Sequence, residues 1–164
     1  MFNFFAKRKL RRILRRFIEP KAVQDLLDGR ATEAPEIHSG QFDFIFALVR
    51  ADSPKELVER IGLVTDLSYE HKAVVHNVIG PLIVMALGTL TRATESSGTR
   101  QELVRHLQRQ FGADIKIVHG SVDGHFGAFG SARYLAFTFT FPHFDHALAA
   151  LGRVEFGSVE EFVP

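Results

Sequence analysis

The chain has 164 residues, a formal net charge of +1, 46% hydrophobic residues and no cysteine. That composition excludes a disordered chain, a disulfide-stapled scaffold and a thiolate metal centre. No apolar run reaches roughly 18 residues, and the first residues lack the uncharged core of a secretory signal, so a cytoplasmic protein of one-domain length is expected.

The small net charge hides an uneven distribution. Lys7, Arg8, Lys9, Arg11, Arg12, Arg15 and Arg16 precede the first acid, Glu19. The remainder carries 13 basic residues (20 − 7) against 19 acidic ones, a formal −6. Residues 3–18 suit an amphipathic helix, with Ala6, Leu10, Ile13, Leu14 and Phe17 at three-four spacing and the arginines on the other face. Three readings stay open for this segment. It docks on its own domain or a partner subunit, or it lies on an anionic membrane with Phe2, Phe4 and Phe5 beside the basic face. The third reading, nucleic-acid binding, suits the charge but lacks a base-reading motif.

Pro20 starts a short helix over 20–28, ended by Gly29, so residues 1–29 read as a basic head with a lead-in segment. Residues 30–40 read as a polar loop and 41–164 as the globular body. In that body, 41–50 (QFDFIFALVR) is a buried strand. Ser53-Pro54-Lys55-Glu56 is a capping box opening a helix to about Glu70. The apolar runs 73–79 and 82–87, joined by Gly80-Pro81, predict an antiparallel hairpin. Residues 89–98 read as a loop. Thr99-Arg100-Gln101-Glu102 reads as a second capping box, for a helix ending at Phe111 before Gly112.

Residues 119–141 are the centre of the chain. Gly120, Gly124, Gly127 and Gly130 permit close backbone approach or positive φ, and predict a turn between a strand at 114–119 and a short strand at about 121–129. Phe137-Thr138-Phe139-Thr140-Phe141 alternates, placing three rings on one face of a strand and two threonines on the other. A helix over 142–151, an edge strand at 153–156 and a final turn at 158–162 complete the expectation. The predicted class is α+β: a mostly antiparallel sheet with helices packed on one face.

Several of these segments, in this order, resemble the catalytic domain of class III nucleotide cyclases, the adenylate/guanylate cyclase family, across roughly residues 16–151. Arg16-Phe17-Ile18-Glu19-Pro20 with Val23 and Leu26-Leu27 resembles the segment preceding many bacterial cyclase domains. Phe44-Ile45-Phe46-Ala47 resembles the first core strand, and Val78-Ile79-Gly80 with Ile83-Val84-Met85-Ala86-Leu87-Gly88 the hairpin. Ile117-Val118-His119-Gly120, Gly127 and Gly130-Ser131 resemble the glycine-rich strand pair, and Phe137-Thr138 stands where the family has Tyr-Thr. The resemblance implies a ferredoxin-like, nucleotide-cyclase-type fold and head-to-tail pairing, with a homodimer or a heteromeric protein partner expected.

In that family two metal ions, held by carboxylates, activate a ribose hydroxyl to attack the α-phosphate of a nucleoside triphosphate. Carried onto this sequence, the two metal-carboxylate positions are Leu48 and Pro81. The base-recognising lysine falls at Asn77, the transition-state asparagine at Asp145 and the transition-state arginine at Ala149. Neither Leu48 nor Pro81 offers a side-chain oxygen to Mg²⁺. The expectation is a cyclase-like domain without turnover, serving as an interaction, scaffold or regulatory subunit, with no catalytic residue and no cofactor. The alternative is an active or nucleotide-sensing protein with non-standard ligands, Asp52 and Asp145 being the rescue candidates. Asp43, five residues before Leu48, is expected on the opposite face of the strand. His119, His125, His143 and His146 cluster in sequence, and His143 and His146 sit at helical spacing for a transition metal, although surface or strand-end histidines explain them more simply.

Overall fold

A computed structural model describes residues 37–89, 96–131 and 134–164. The basic amphipathic segment 3–18, the helix expected at 20–28 and most of both expected loops lie outside these residues. Strand β1 (Ile37–Val49) leads into helix α1 (Pro54–Glu70), the hairpin β2 (Val74–Ile79) and β3 (Leu82–Leu87), and helix α2 (Ser96–Phe111). A 3₁₀ turn follows, then β4 (Ile115–Ser131), β5 (Tyr134–Thr140), helix α3 (Phe144–Arg153) and β6 (Val159–Glu161). The six strands form one sheet in the order β2-β3-β1-β4-β5, with β6 added parallel to β4; every other pairing is antiparallel. No described helix is long and apolar enough to cross a membrane.

The central strand shows why this sheet forms. In β1, Ile45, Ala47 and Val49 point to one face and Phe42, Phe44 and Phe46 to the other, all buried. A strand buried on both faces reads as a continuous apolar run, as 41–50 does. Helices α1 and α2 cover the aliphatic face through Val64, Leu103, Leu107 and Phe111. Helix α3 covers the aromatic face through Ala147, Ala150 and Leu151. The mostly antiparallel α+β architecture is the expected one, but the helices do not share one face as expected: α3 covers the face that α1 and α2 leave open, because the aromatic face also needs burial. On that face Phe44 stacks on Phe141 at 4.7 Å and Phe42 meets Phe139 edge-on at 5.1 Å. Such aromatic pairs each add roughly 0.5–1.5 kcal/mol beyond area burial.

The first helix starts where its capping box says. Ser53 Oγ accepts from the Glu56 N–H at 3.2 Å, and the Glu56 carboxylate accepts from the Asp52 N–H at 2.8 Å. It ends where the His71 N–H bonds back to Leu67 O and Lys72 takes a left-handed φ of 59°. The second helix differs from its expected start. It opens at Ser96, so Thr99 lies inside it, and Arg100 is turned into the core.

The glycine cluster is the main correction to the sequence reading. No turn interrupts 115–131, and the register with β1 is continuous from Ile37–Gly127 to Val49–Ile115. The glycines instead make room. A Cβ at Gly120 would lie 2.6 Å from the Phe162 carbonyl oxygen and 3.0 Å from the Phe44 ring. One at Gly124 would meet the Thr140 carbonyl oxygen and lie 2.9 Å from Phe141 Cβ. At Gly120 and Gly124 close approach of a neighbouring backbone carbonyl and ring, not chain reversal, excludes a side chain, and Gly127 takes a positive φ of 142° within the strand. Two smaller corrections follow at the ends. Residues 37–40 belong to β1 rather than to a loop, and 159–161 form a strand where a turn was expected, while 153–156 do not. The short parallel strand escapes a pattern reading because three residues carry too little periodicity.

Candidate functional site

The position that the resemblance makes the metal centre is assembled by three strands. Leu48 on β1 lies between Leu82 on β3 and Lys116 on β4, its direct cross-strand partners. Direct partners share a face, so these three side chains form one row at the end of the aromatic face. The hairpin turn folds beside them: the Val49 N–H donates to Pro81 O at 3.0 Å, and Gly80 supplies the positive φ of 57° that the two-residue turn needs. The structure therefore brings Leu48 and Pro81 together.

What it brings together is apolar. Leu48 and Leu82 are partly buried against the aromatic core, and Pro81 is an exposed ring. The charge in the cross-strand row is positive. The Lys116 ammonium reaches the Gly152 carbonyl at the end of α3 (3.5 Å) and the Phe156 ring (5.3 Å), over which the Arg50 guanidinium also sits at 4.1 Å. A divalent cation needs anionic or carbonyl oxygens at short range. Leu48 and Pro81 supply no side-chain oxygen, and a neighbouring ammonium opposes the ion, so these residues do not fit the two-metal centre of the resemblance.

The other carried-over positions are dispersed. Asn77 is exposed on β2 at a register shift between Val75 and Asn77, opposite Val84. Asp145 and Ala149 are exposed on α3, with Asp145 in its first turn. Ala149 lines an open cavity of about 470 Å³ with His146, Arg153, Glu160 and Phe162. Asp52 is exposed in the loop after β1. The four histidines do not converge. His119 is buried, His125 Nδ1 is 2.8 Å from Ser39 Oγ, and His143 and His146 stack on each other at the solvent-exposed start of α3. Among the described residues no three His, Asp or Glu side chains are grouped to hold a metal ion.

A polar cluster that the sequence reading missed lies under α2 on the aliphatic face. Arg100 Nη1 is 3.2 Å from Asp43 Oδ1 and Nη2 is 2.7 Å from Glu161 Oε1. Arg100 is 4% exposed, Asp43 0% and His119 7%, which makes them the charged and titratable residues of an otherwise aliphatic core. Asp43 Oδ2, Arg100 Nε and His119 Nδ1 have no hydrogen-bond partner among the described residues. Burial pushes the His119 pKa down, and the Arg100 charge pushes the same way. The neutral ring is the favoured form. Asp43 does face away from Leu48, as its odd spacing requires. The signal for the cluster was present: an aspartate inside an apolar strand must find a polar or cationic partner. Only the pairing partner was illegible.

No family model and no curated protein matches the sequence. Solved structures do match. The catalytic core of a rhodopsin-guanylyl cyclase with converted specificity, in complex with ATPαS, superposes with a TM-score of 0.64 at 10% identity, over 80% of each chain. The adenylyl cyclase CyaB from P. aeruginosa gives 0.57 at 10% identity, over 77% of this chain and 78% of that one. A non-canonical dimeric guanylyl cyclase domain of the RhoGC fusion protein from Blastocladiella emersonii gives 0.63 at 10% identity, over 77% and 80%. The chain has the fold of class III adenylyl and guanylyl cyclase catalytic domains.

Proposed function

From a chain with this fold, we propose a domain without cyclase turnover that works through interaction, as a scaffold or regulatory subunit. One observation carries the reading. Leu48 and the Pro81 turn stand side by side, joined by the Val49–Pro81 hydrogen bond, and neither has an oxygen for a metal. Lys116 beside Leu48 makes the place still less hospitable to a divalent cation. Loss of two carboxylates together removes the charge that gathers the ions, which a single neighbouring group does not replace.

The domain pairs with a second copy or with another protein; among its structural neighbours one guanylyl cyclase domain forms a non-canonical dimer and a double mutant of it is monomeric. The basic segment 1–18 tethers it, to a partner helix or to an anionic membrane surface. The decisive assay is cyclic-nucleotide formation from all four nucleoside triphosphates with Mg²⁺ or Mn²⁺. The expected result is none. Turnover that Asp52→Asn or Asp145→Asn abolishes would instead establish rewired ligands. Triphosphate binding that survives EDTA, without turnover, would mark a nucleotide sensor. Co-sedimentation with anionic vesicles, compared with a chain lacking residues 1–18, decides the tether.

A further inference from the structure

Helix α1 packs Ile61, Val64, Leu67 and Ser68 toward the aliphatic core and leaves an organised face outside. That outer face carries large apolar side chains which nothing covers among the described residues: Val58 is 69% exposed, Tyr69 51% and Leu63 45%. Val58, Gly62, Thr65 and Tyr69 follow one another at spacings of four, three and four, the spacing of a seam along which two helices pack. Gly62 stands in the middle of that seam. Glycine weakens a helix interior, and here a Cβ would meet nothing within 4 Å, so no neighbour among the described residues requires it. At a seam position it lets a second helix approach closely. Beside the seam runs a row of exposed acids, Glu59, Asp66 and Glu70. The basic residues of α1 do not cancel that row. Lys55 sits near the first turn, 4.0 Å from Glu59, and Arg60 is turned away onto Glu56 (2.7 Å) and Asp114 (3.0 Å).

An apolar seam edged with acids fits a basic amphipathic helix, and the chain carries one ahead of β1. Ala6, Leu10, Ile13 and Phe17 repeat the four-three-four spacing, and Lys7, Lys9 and Arg16 flank them in a segment free of acids before Glu19. As a helix, residues 3–18 are about 24 Å long, against about 25 Å for α1, so the two seams match in length. Residues 19–36 join this segment to β1 and span up to about 60 Å when extended, more than twice the length of α1. The segment therefore reaches the α1 of its own domain. A tethered helix meets its own domain at a high effective concentration, which favours that partner over a second copy.

We propose that residues 3–18 dock as a helix along the outer face of their own α1, seam against seam, with their basic flanks toward Glu59, Asp66 and Glu70. The inference rests on the amphipathic reading of 3–18 and names the surface that this segment occupies when no membrane is offered. It stands whether or not the domain turns over nucleotides.

The test is limited trypsin digestion of the full chain without vesicles, with the cuts between Lys7 and Arg16 followed by mass spectrometry. Docking slows those cuts in proportion to the undocked fraction. Two variants alter the surface and leave the core alone, since all six positions are exposed. Val58→Gln, Gly62→Gln and Tyr69→Gln together remove the seam; Glu59→Gln, Asp66→Asn and Glu70→Gln together remove the charge. Neither set adds a trypsin site. Each should speed the cuts at least about fivefold. Protection of the unsubstituted chain should hold over about a hundredfold range of protein concentration, as docking within one chain requires. Equal rates in the unsubstituted chain and both variants overturn docking on α1. An effect of one variant without the other overturns the match of seam and charge. Protection that fades on dilution, with dimers in native mass spectrometry, overturns the own-chain assignment in favour of a second copy. Failure here leaves the scaffold reading intact, because that reading is decided by the turnover and vesicle assays.

Discussion

The face of the sheet under α1 and α2 is aliphatic and hides charge. Its core of Ile45, Ile83, Leu103, Leu107 and Ile117 ends in the Asp43–Arg100–His119 cluster, sealed at the C-terminal edge by Glu161. The opposite face is aromatic and carries no buried ion pair among the described residues. Its open end is Leu48, Leu82 and Pro81. So the buried charge lies where it joins separate elements, while at the other face Leu48 and Pro81 offer no side-chain oxygen. Buried ions need partners in good geometry or they destabilise, and here the partners come from α2, β1 and β6, three elements distant in sequence.

Each face can be broken separately. The largest effect is expected from Arg100→Met, which strands the Asp43 carboxylate in an apolar core; urea denaturation should show a loss of about 3–5 kcal/mol. Adding Asp43→Leu should recover much of it, because an apolar replacement of both partners carries no desolvation cost. Phe44→Ala empties the centre of the aromatic face and should cost about 3–5 kcal/mol as well. If the Arg100 variant lost less than 1 kcal/mol while Phe44→Ala lost its full share, the contrast between the faces would be wrong. Gly124→Ala comes next, at about 1–3 kcal/mol from overpacking, since the Thr140 backbone it meets cannot swing aside as a side chain could.

The smallest effect is a pH dependence confined to the aliphatic face. The His119 pKa is depressed in the fold, so the unfolded chain takes up its proton first as pH falls. Stability from the neutral ring is complete above the ordinary histidine range and declines as pH drops through it. Unfolding midpoints measured from pH 8 down to 5 should fall, and His119→Gln should flatten that limb. A His119→Gln chain with an unchanged acid limb would assign the effect to other groups.

Much of this was legible in the residues. The Ser53-Pro54-Lys55-Glu56 box located α1, Gly80-Pro81 located the hairpin turn, and the order of apolar runs carried the resemblance to the cyclase domain that the fold bears out. The glycines from 120 to 127 do permit close approach and a positive φ, but the turn expected there is absent, because a glycine that admits a neighbour and one that turns the chain look alike in one dimension. Local patterns report on residues within a few positions of each other: caps, turns and the face to which a side chain points. The chain by itself therefore determined its described helices to within about a turn, its hairpin and the lack of side-chain oxygens at Leu48 and Pro81. Which distant groups meet was decided only by tertiary structure. Arg100 with Asp43, Phe162 over Gly120, and the short parallel strand that closes β4 depend on contacts spanning tens of residues, and such pairings leave no period in the sequence.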